Sequence, residues 1–452
     1  MTLKKKLGIV FSAMILTALT AGLAVFSVLA PIITGYAAKN LASGIFVAGR
    51  SQENLEKEDL NFSFIKYTEN KVDYDKKEVT SRLLFWSSKA LYIDGFGCVL
   101  LRDYTEEQIR ERAYPKFTDS YANQDTLAWP AGDKIAGPAP EGIDMPALNA
   151  VVEEAFADSL PFKGTFAVTV AYKNNLVCER YREDFSPDTR FLSWSVAKSF
   201  ISALTGIRIG QGKLSLYEPA PVKEWQSDER KNISLANLLR MNTGLEWNED
   251  YGSNSDVNIM LFKTGDYAKY SIAKKATLPP DSVFYYSSGS TNITSRILRD
   301  SFEDYQDYLA FPYKELFSKI GMNSVIFELD ASGTFVGSSY LYATMRDYTR
   351  FGLLYMNGGL WNGERILPEG WTDFTWTPGK GSDNGYGAYF RVNKGKEYAN
   401  LPEDVLSARG HDGQYIFIVP SKNLVVVRTG FSQKHSFNPE LFLEKIVACI
   451  KE

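Results

Sequence analysis

The chain has 452 residues, 44% of them hydrophobic and 23% charged, with a net charge of −4. That balance describes a globular body of more than one small domain, and mild acidity without a clustered basic stripe gives nucleic-acid binding no footing. Two histidines and three cysteines, Cys98, Cys178 and Cys449, assemble neither a zinc-type ligand set nor a disulfide framework. That count leaves carboxylate-rich metal sites open, but no motif points to one, and no metal and no cofactor is expected.

The N-terminus reads as an export or anchor segment, residues 1–40. Lys4-Lys5-Lys6 precede Leu7 to Ala30, an uncharged and mostly apolar run, and no charge follows until Lys39. As a helix that run is about 36 Å long, against about 30 Å for a bilayer core, which predicts a transmembrane helix. The lysines would stay in the cytoplasm and everything after residue 40 would be exported, so the expected partner is the membrane and the expected location extracytoplasmic. The run exceeds a signal-peptide core of about 7–15 residues, which favours a retained anchor over cleavage near Ala37-Ala38; cleavage would give an exported soluble form. Pro31 argues against a cut directly after Ala30.

Residues 41–135 hold short apolar stretches such as Arg82-Leu83-Leu84-Phe85-Trp86 and Cys98-Val99-Leu100-Leu101 between polar turns, the pattern of a small α/β accessory module. Pro130 to Pro146 reads as a linker into a main domain, residues 136–452. There a helix from Ala147 to Val152 precedes a strand from Thr165 to Ala171, with Leu176–Cys178 as its hairpin partner across Lys173-Asn174-Asn175.

Ser195-Val196-Ala197-Lys198 comes next. Residues three apart on a helix are neighbours, so the Lys198 amine can reach the Ser195 oxygen. A serine becomes a nucleophile only when a base takes its proton, and a lysine serves once its surroundings depress its pKa. The helix read from Ser195 to about Ile209 buries Val196, Phe200, Ile201, Leu204 and Ile207, and Gly210 and Gly212 mark its end. Ser195 thus sits at a helix N-terminus, where free N–H groups favour developing negative charge.

Phe284-Tyr285-Tyr286-Ser287-Ser288-Gly289 offers a phenol and a hydroxyl in a turn-rich loop before an apolar helix. Ser382-Asp383-Asn384 reads as a turn in a glycine-rich loop. Gly410-His411-Asp412-Gly413-Gln414 runs into a strand, Tyr415–Val419, ended by Pro420. A small residue such as Gly413 at a strand edge lets a substrate approach closely, and the Gln414 N–H could join that of Ser195 in an oxyanion hole. Adjacent residues on a strand face opposite sides, so Asp412 is not expected to orient His411. His435 reads as a surface residue. Leu424–Arg428 pairs with the preceding strand, and Pro439–Lys451 is a closing helix. Strands at both ends with helices between them imply an α+β fold, a mainly antiparallel sheet flanked by helices with a helical subdomain inserted and the active site in the cleft between.

With these segments the chain resembles the serine hydrolases of the class C β-lactamase and penicillin-binding-protein superfamily. Its three motifs are matched by Ser195/Lys198, Tyr286/Ser288 and His411/Gly413. Trp194 to Ser199 and Leu238 to Leu245 with Glu249-Asp250-Tyr251 are similar to the 6-aminohexanoate-dimer (nylon oligomer) hydrolase-like branch. The resemblance runs from about residue 140 to the C-terminus. It implies a β-lactamase/transpeptidase-like fold and a small amide, ester or short peptide-like substrate. Ser195 would be the nucleophile, Lys198 and Tyr286 would exchange its proton, and Tyr251, Ser288, His411 and Gly413 would bind substrate or tune this network. His411 and Ser288 stand where β-lactamases carry Lys and Asn; without the lysine cation, a linear amide or an ester is favoured over a β-lactam. A D-Ala-D-Ala-type peptidase, a carboxylesterase or weak β-lactamase on the same scaffold, and an anchored binding or sensor protein stay open as alternatives.

Overall fold

The N-terminal run is helical but longer than its composition suggests. In the computed structural model, which describes residues 2–116, 126–135, 137–157, 164–432 and 437–451, helix α1 spans Leu3–Phe46 with Pro31 inside it. Leu7, Phe11, Leu16 and Leu23 are exposed, whereas Ala30, Ala37, Ala38, Leu41 and Ala42 are fully buried. The buried half packs on a four-stranded antiparallel meander, β1 (Glu69–Asp73), β2 (Glu78–Leu83), β3 (Trp86–Ile93) and β4 (Gly97–Leu100). Small side chains let the elements close: a Cβ on Gly35 would stand 2.9 Å from the Phe262 carbonyl oxygen, and one on Gly44 would meet Leu55 at 2.5 Å.

Among the described residues no helix is long and apolar enough to cross a membrane, so the expected transmembrane helix has no support. The physical reason lies partly in the second half of α1. Its small apolar residues cover protein, and Lys39, expected just past a bilayer, is buried in an ion pair with Glu328. Glu328 also accepts from Ser43 Oγ (2.9 Å) and the Cys98 N–H (2.6 Å). Residue 40, the expected end of the anchor, lies inside α1.

The larger sheet is built from strands that are apolar on both faces. Helix α2 (Met145–Ala157) leads to β5 (Gly164–Tyr172) and β6 (Asn175–Tyr181), joined by Lys173-Asn174, both at positive φ, a two-residue turn whose twist matches the strands. After helix α3 (Ala197–Gly210), helix α4 (Ser288–Asp300) and helix α5 (Met345–Met356) come β7 (Arg391–Val392), β8 (Leu406–Gly410), β9 (Gln414–Val419), β10 (Leu424–Phe431) and helix α6 (Pro439–Ala448). The strands pair antiparallel in the order β7-β8-β9-β10-β5-β6. Ile416, Ile418, Val425 and Val427 face one way, into the core shared with α3 and α5; Phe417, Val419, Leu424 and Val426 face the other, under α2 and α6. Each such side chain contributes roughly 1.5–3 kcal/mol on burial. Shorter helices, Leu235–Arg240, Asp256–Lys263 and Tyr267–Ile272, lie with α4 beside α3 and form the helical part. The expected linker is stapled to α5, where the buried Arg350 donates to the Pro130 and Gly132 carbonyls, each at 2.8 Å.

Candidate active site

Ser195 lies in a 3₁₀ turn, Trp194–Val196, two residues before the start of α3 rather than inside it. Val196, Phe200, Ile201, Leu204 and Ile207 are buried as their spacing requires and hold α3 in the core; Phe200 stacks on Phe351 at 3.8 Å. Trp194 has φ of +45°, a sparsely populated conformation for a bulky residue, and the turn is pinned by the Ser193 hydroxyl, which donates to the Ser339 carbonyl (3.2 Å). The strain sits immediately before the Ser195 hydroxyl.

Lys198 is 1% exposed on the first turn of α3. Its Nζ donates to Ser195 Oγ (2.9 Å), Ser288 Oγ (3.0 Å) and the Ser338 carbonyl (2.9 Å). Burial lowers its pKa to about 8, against the pull of the Glu249 charge, so a useful fraction is neutral near pH 7–8. The three contacts then decide where the lone pair points. The Ser338 carbonyl has no proton, and the single proton of the Ser288 hydroxyl goes to Glu249 Oε1 at 2.5 Å. Only the Ser195 hydroxyl is left to donate to the neutral amine.

Glu249 organises this side of the site. Its carboxylate accepts from the Ser288 N–H (2.9 Å) at the start of α4, from the Tyr251 hydroxyl (3.2 Å) and from the Trp247 indole. A carboxylate at a helix N-terminus is where the free N–H groups favour one. The Tyr286 ring lies 4.9 Å from Lys198 Nζ. Burial, with the nearby Glu249 charge, raises the Tyr286 phenol well above its ordinary value, and the Ser195 side chain opposes this. Tyr286 therefore rests protonated, a proton donor rather than a standing base.

The remaining expected residues divide. Tyr251 and His411 line the cleft with Ser195, Lys198 and Tyr286, around a space of about 230 Å³; their rings stack at 5.1 Å. Ser288 is fully buried between Lys198 and Glu249, a position that fits the expected tuning of the network rather than the alternative of contact with substrate. Gly413 is corrected too: it has φ of +91°, and a Cβ there would stand 2.1 Å from Arg428 Nη1, which donates to its carbonyl (2.7 Å), so an arginine occupies the space expected for substrate. The Gln414 carboxamide donates to the carbonyls of His411 (3.0 Å) and Gly430 (2.6 Å) and braces the turn from behind. His411 to Gly413 form that turn between β8 and β9, not a strand, and Asp412 Oδ1 comes within 3.3 Å of His411 Nε2, so the expectation of opposite faces fails. Asp383 and Asn384, both at positive φ, form a turn as read. His435 lies outside the described residues.

Two functional candidates escaped the sequence reading. Glu249 sat in a quoted segment without a role; its signal was Trp247-x-Glu249-x-Tyr251, whose alternate spacing lets both aromatic donors reach one carboxylate. Arg391, on β7, faces the cleft amid aromatic rings and carries no pattern that sets it apart in sequence.

Against known proteins, the family model described as Beta-lactamase matches residues 160–440. The 6-aminohexanoate-dimer hydrolase of Paenarthrobacter ureafaciens is 26% identical over 310 residues, 63% of this chain and 75% of that protein. Among solved structures, a Bacillus anthracis protein provisionally assigned as a 6-aminohexanoate-dimer hydrolase superposes with a TM-score of 0.53 at 23% identity, covering 67% of this chain and 80% of that one. A family VIII carboxylesterase superposes with a TM-score of 0.54 at 14% identity, covering 70% of this chain and 100% of that one. With the family model covering more than half of its length, and its three motifs in order along that span, the chain belongs to the Beta-lactamase family of serine hydrolases.

Proposed function

We propose that the enzyme cleaves a linear amide or ester through an acyl-enzyme on Ser195. Neutral Lys198 takes the Ser195 proton as the oxygen attacks the substrate carbonyl. The N–H groups of Ser195 and Gln414 receive the oxyanion. As the tetrahedral intermediate collapses, Tyr286 gives its proton to the leaving nitrogen or oxygen and regains one from Lys198. Water then attacks the acyl-enzyme by the reverse sequence, with Lys198 taking its proton and Ser195 recovering one. Tyr251 and His411 form one wall of the substrate cleft, and Ser288 and Glu249 hold Lys198.

The observation that carries this reading is the 2.9 Å contact between Lys198 Nζ and Ser195 Oγ with the other Lys198 contacts closed to donation. The test is to mix the enzyme with p-nitrophenyl butyrate, quench in acid and weigh the intact protein. One butyryl group on the wild type and none on Ser195→Ala is expected; equal labelling of both refutes the nucleophile.

For location, the proposal is that the chain works outside the cytoplasm with the exposed apolar side chains of α1, such as Leu7, Phe11 and Leu16, against a membrane surface. Cell fractionation tests it: recovery with membranes released by detergent supports the reading, and recovery in the cytoplasmic fraction refutes it.

A further inference from the structure

Resting on the location reading above, we propose that the tip of the β2–β3 hairpin, Leu84-Phe85, forms with Phe64 and Tyr67 a docking collar that seats the catalytic body on an anionic lipid surface. Leu83 pairs with Trp86, so Leu84 and Phe85 alone make the turn. Two-residue hairpin turns are ordinarily built from Asn, Asp and Gly, which tolerate a positive φ and face water. Here Leu84 takes φ of +55°, and the two side chains are 59% and 69% exposed. A bulky residue held in a sparsely populated conformation with its apolar side chain in solvent serves neither the turn nor the core. Its use lies in what covers it.

The surroundings point to lipid. Phe85 packs on Trp86 at 4.5 Å, and both Trp86 and Phe64 meet the ring of Phe26 on α1, at 5.6 and 5.7 Å. The buried Ile65 anchors the 3₁₀ turn Ile65–Tyr67, and Phe64 and Tyr67 on either side of it are exposed. Phe26 lies where α1 enters the body: Leu16 and Leu23 before it are exposed, and Ala30 after it is fully buried. The collar is therefore continuous with the exposed apolar run of α1, at the level where that run ends. Cations surround it. Arg82 Nε donates to the Leu84 carbonyl (2.6 Å), and Lys66 Nζ lies 5.1 Å from the Tyr67 ring. Lys263 Nζ donates to the Val28 carbonyl (3.3 Å), about 3 Å along α1 from Phe26. Glu69 stands opposite Arg82 in the sheet, which leaves a positive balance among these four. Apolar and aromatic side chains backed by long cationic ones match the boundary between acyl chains and headgroups, and the cations favour anionic headgroups. A projecting turn, unlike a groove, is shaped to enter such a layer.

The experiment mixes the full-length protein with vesicles of phosphatidylcholine, alone or with phosphatidylglycerol. Phe85→Cys carries an environment-sensitive nitrobenzoxadiazole label; Tyr217→Cys, beside Phe374 in the main domain, carries the same label as reference, and the unsubstituted protein gives the background from Cys178. With phosphatidylglycerol vesicles the label at position 85 should shift to the blue and be quenched by a nitroxide lipid, and the label at 217 should do neither. The double variant Leu84→Asn/Phe85→Gly installs favoured turn residues, so it should unfold at the same or a higher denaturant concentration, hydrolyse p-nitrophenyl butyrate like the wild type, and yet bind these vesicles about 10- to 100-fold more weakly in flotation. Salt should weaken the wild type's binding, as should omission of phosphatidylglycerol. A protein that floats with an unquenched label at 85, or a double variant that binds as tightly as the wild type, overturns the collar and leaves α1 as the membrane contact. A label at 85 that shifts with protein concentration in the absence of lipid overturns it in favour of a second copy of the chain. If the wild type floats with neither vesicle, the collar and the location reading fail together.

Discussion

Ser288 spends its one hydroxyl proton on Glu249, 2.5 Å away, and so can only accept from Lys198. A buried serine and a carboxylate thereby determine which way a neutral lysine turns its lone pair. Ser288→Ala should remove this constraint and leave Lys198 free to rotate, lowering kcat by about 10- to 100-fold while KM changes little. Steady-state kinetics on a neutral amide check it, and an equal loss spread into KM would assign Ser288 to substrate binding after all.

The Glu249 charge raises the Lys198 pKa against the larger, opposite effect of burial. Replacing the carboxylate by an amide in Glu249→Gln removes that charge, so the Lys198 pKa should fall further. The acid limb of kcat/KM against pH, near 8 in the wild type, should then move to lower pH. Activity should also drop about tenfold, because an amide cannot accept from Ser288, Tyr251 and Trp247 together. An acid limb that moves upward, or stays in place, contradicts the coupling.

Lys198 also makes a stability prediction whose sign can be worked out. Its pKa is about 8 folded, below the ordinary 10.5, so the unfolded chain binds more protons between those values and stability rises as pH climbs from 8 to 10.5. Below pH 8 the cost of burying the cation is fully present. Lys198→Met should therefore abolish turnover yet raise stability by about 1–3 kcal/mol at pH 7, with the gain shrinking toward pH 10.5. Denaturant titrations at several pH values read both.

Because burial keeps Tyr286 protonated, its role is to donate to the leaving group, and the need for that depends on the substrate. Tyr286→Phe should cost about 10²- to 10³-fold on an alkyl amide, whose nitrogen cannot depart unprotonated, and under about tenfold on a p-nitrophenyl ester, whose phenolate can. Equal losses on both would make Tyr286 a base for the attack instead.

Lys39 and Glu328 tie α1 to the main domain through a fully buried pair. Removing one partner strands the other, so Lys39→Met or Glu328→Gln alone should cost about 3–5 kcal/mol, and the double variant less than the two single costs combined. Thermal or chemical unfolding of the four proteins gives the cycle.

Much of this could be read from the residues in order. The continuous apolar runs at Tyr415–Val419 and Leu424–Val427 and the buried stripe of α3 are local signals, and they mark the sheet and the helix under Ser195 where they occur. The N-terminal helix was harder, because an apolar surface looks the same whether lipid or protein covers it; only the contacts of Ala30 to Val47 show protein over that half. At Gly413 the sequence signalled a position needing open space, and the structure fills that space with Arg428, distant in sequence. His411 and Asp412 departed from the strand expectation because Asp412 takes φ of +59° and turns the chain. Glu249 and Arg391 were hidden for a related reason: their importance lies in which partners the fold brings to them.

The central claim is that Ser195 is the nucleophile and Lys198 its base. The most direct measurement is intact-mass spectrometry of the full chain after incubation with a fluorophosphonate, for the wild type, Ser195→Ala and Lys198→Met. The account predicts one adduct on Ser195 of the wild type, none on Ser195→Ala, and labelling slowed by at least about 100-fold in Lys198→Met. A wild type that stays unlabelled while folded, or a Ser195→Ala protein labelled as fast as the wild type, would contradict it.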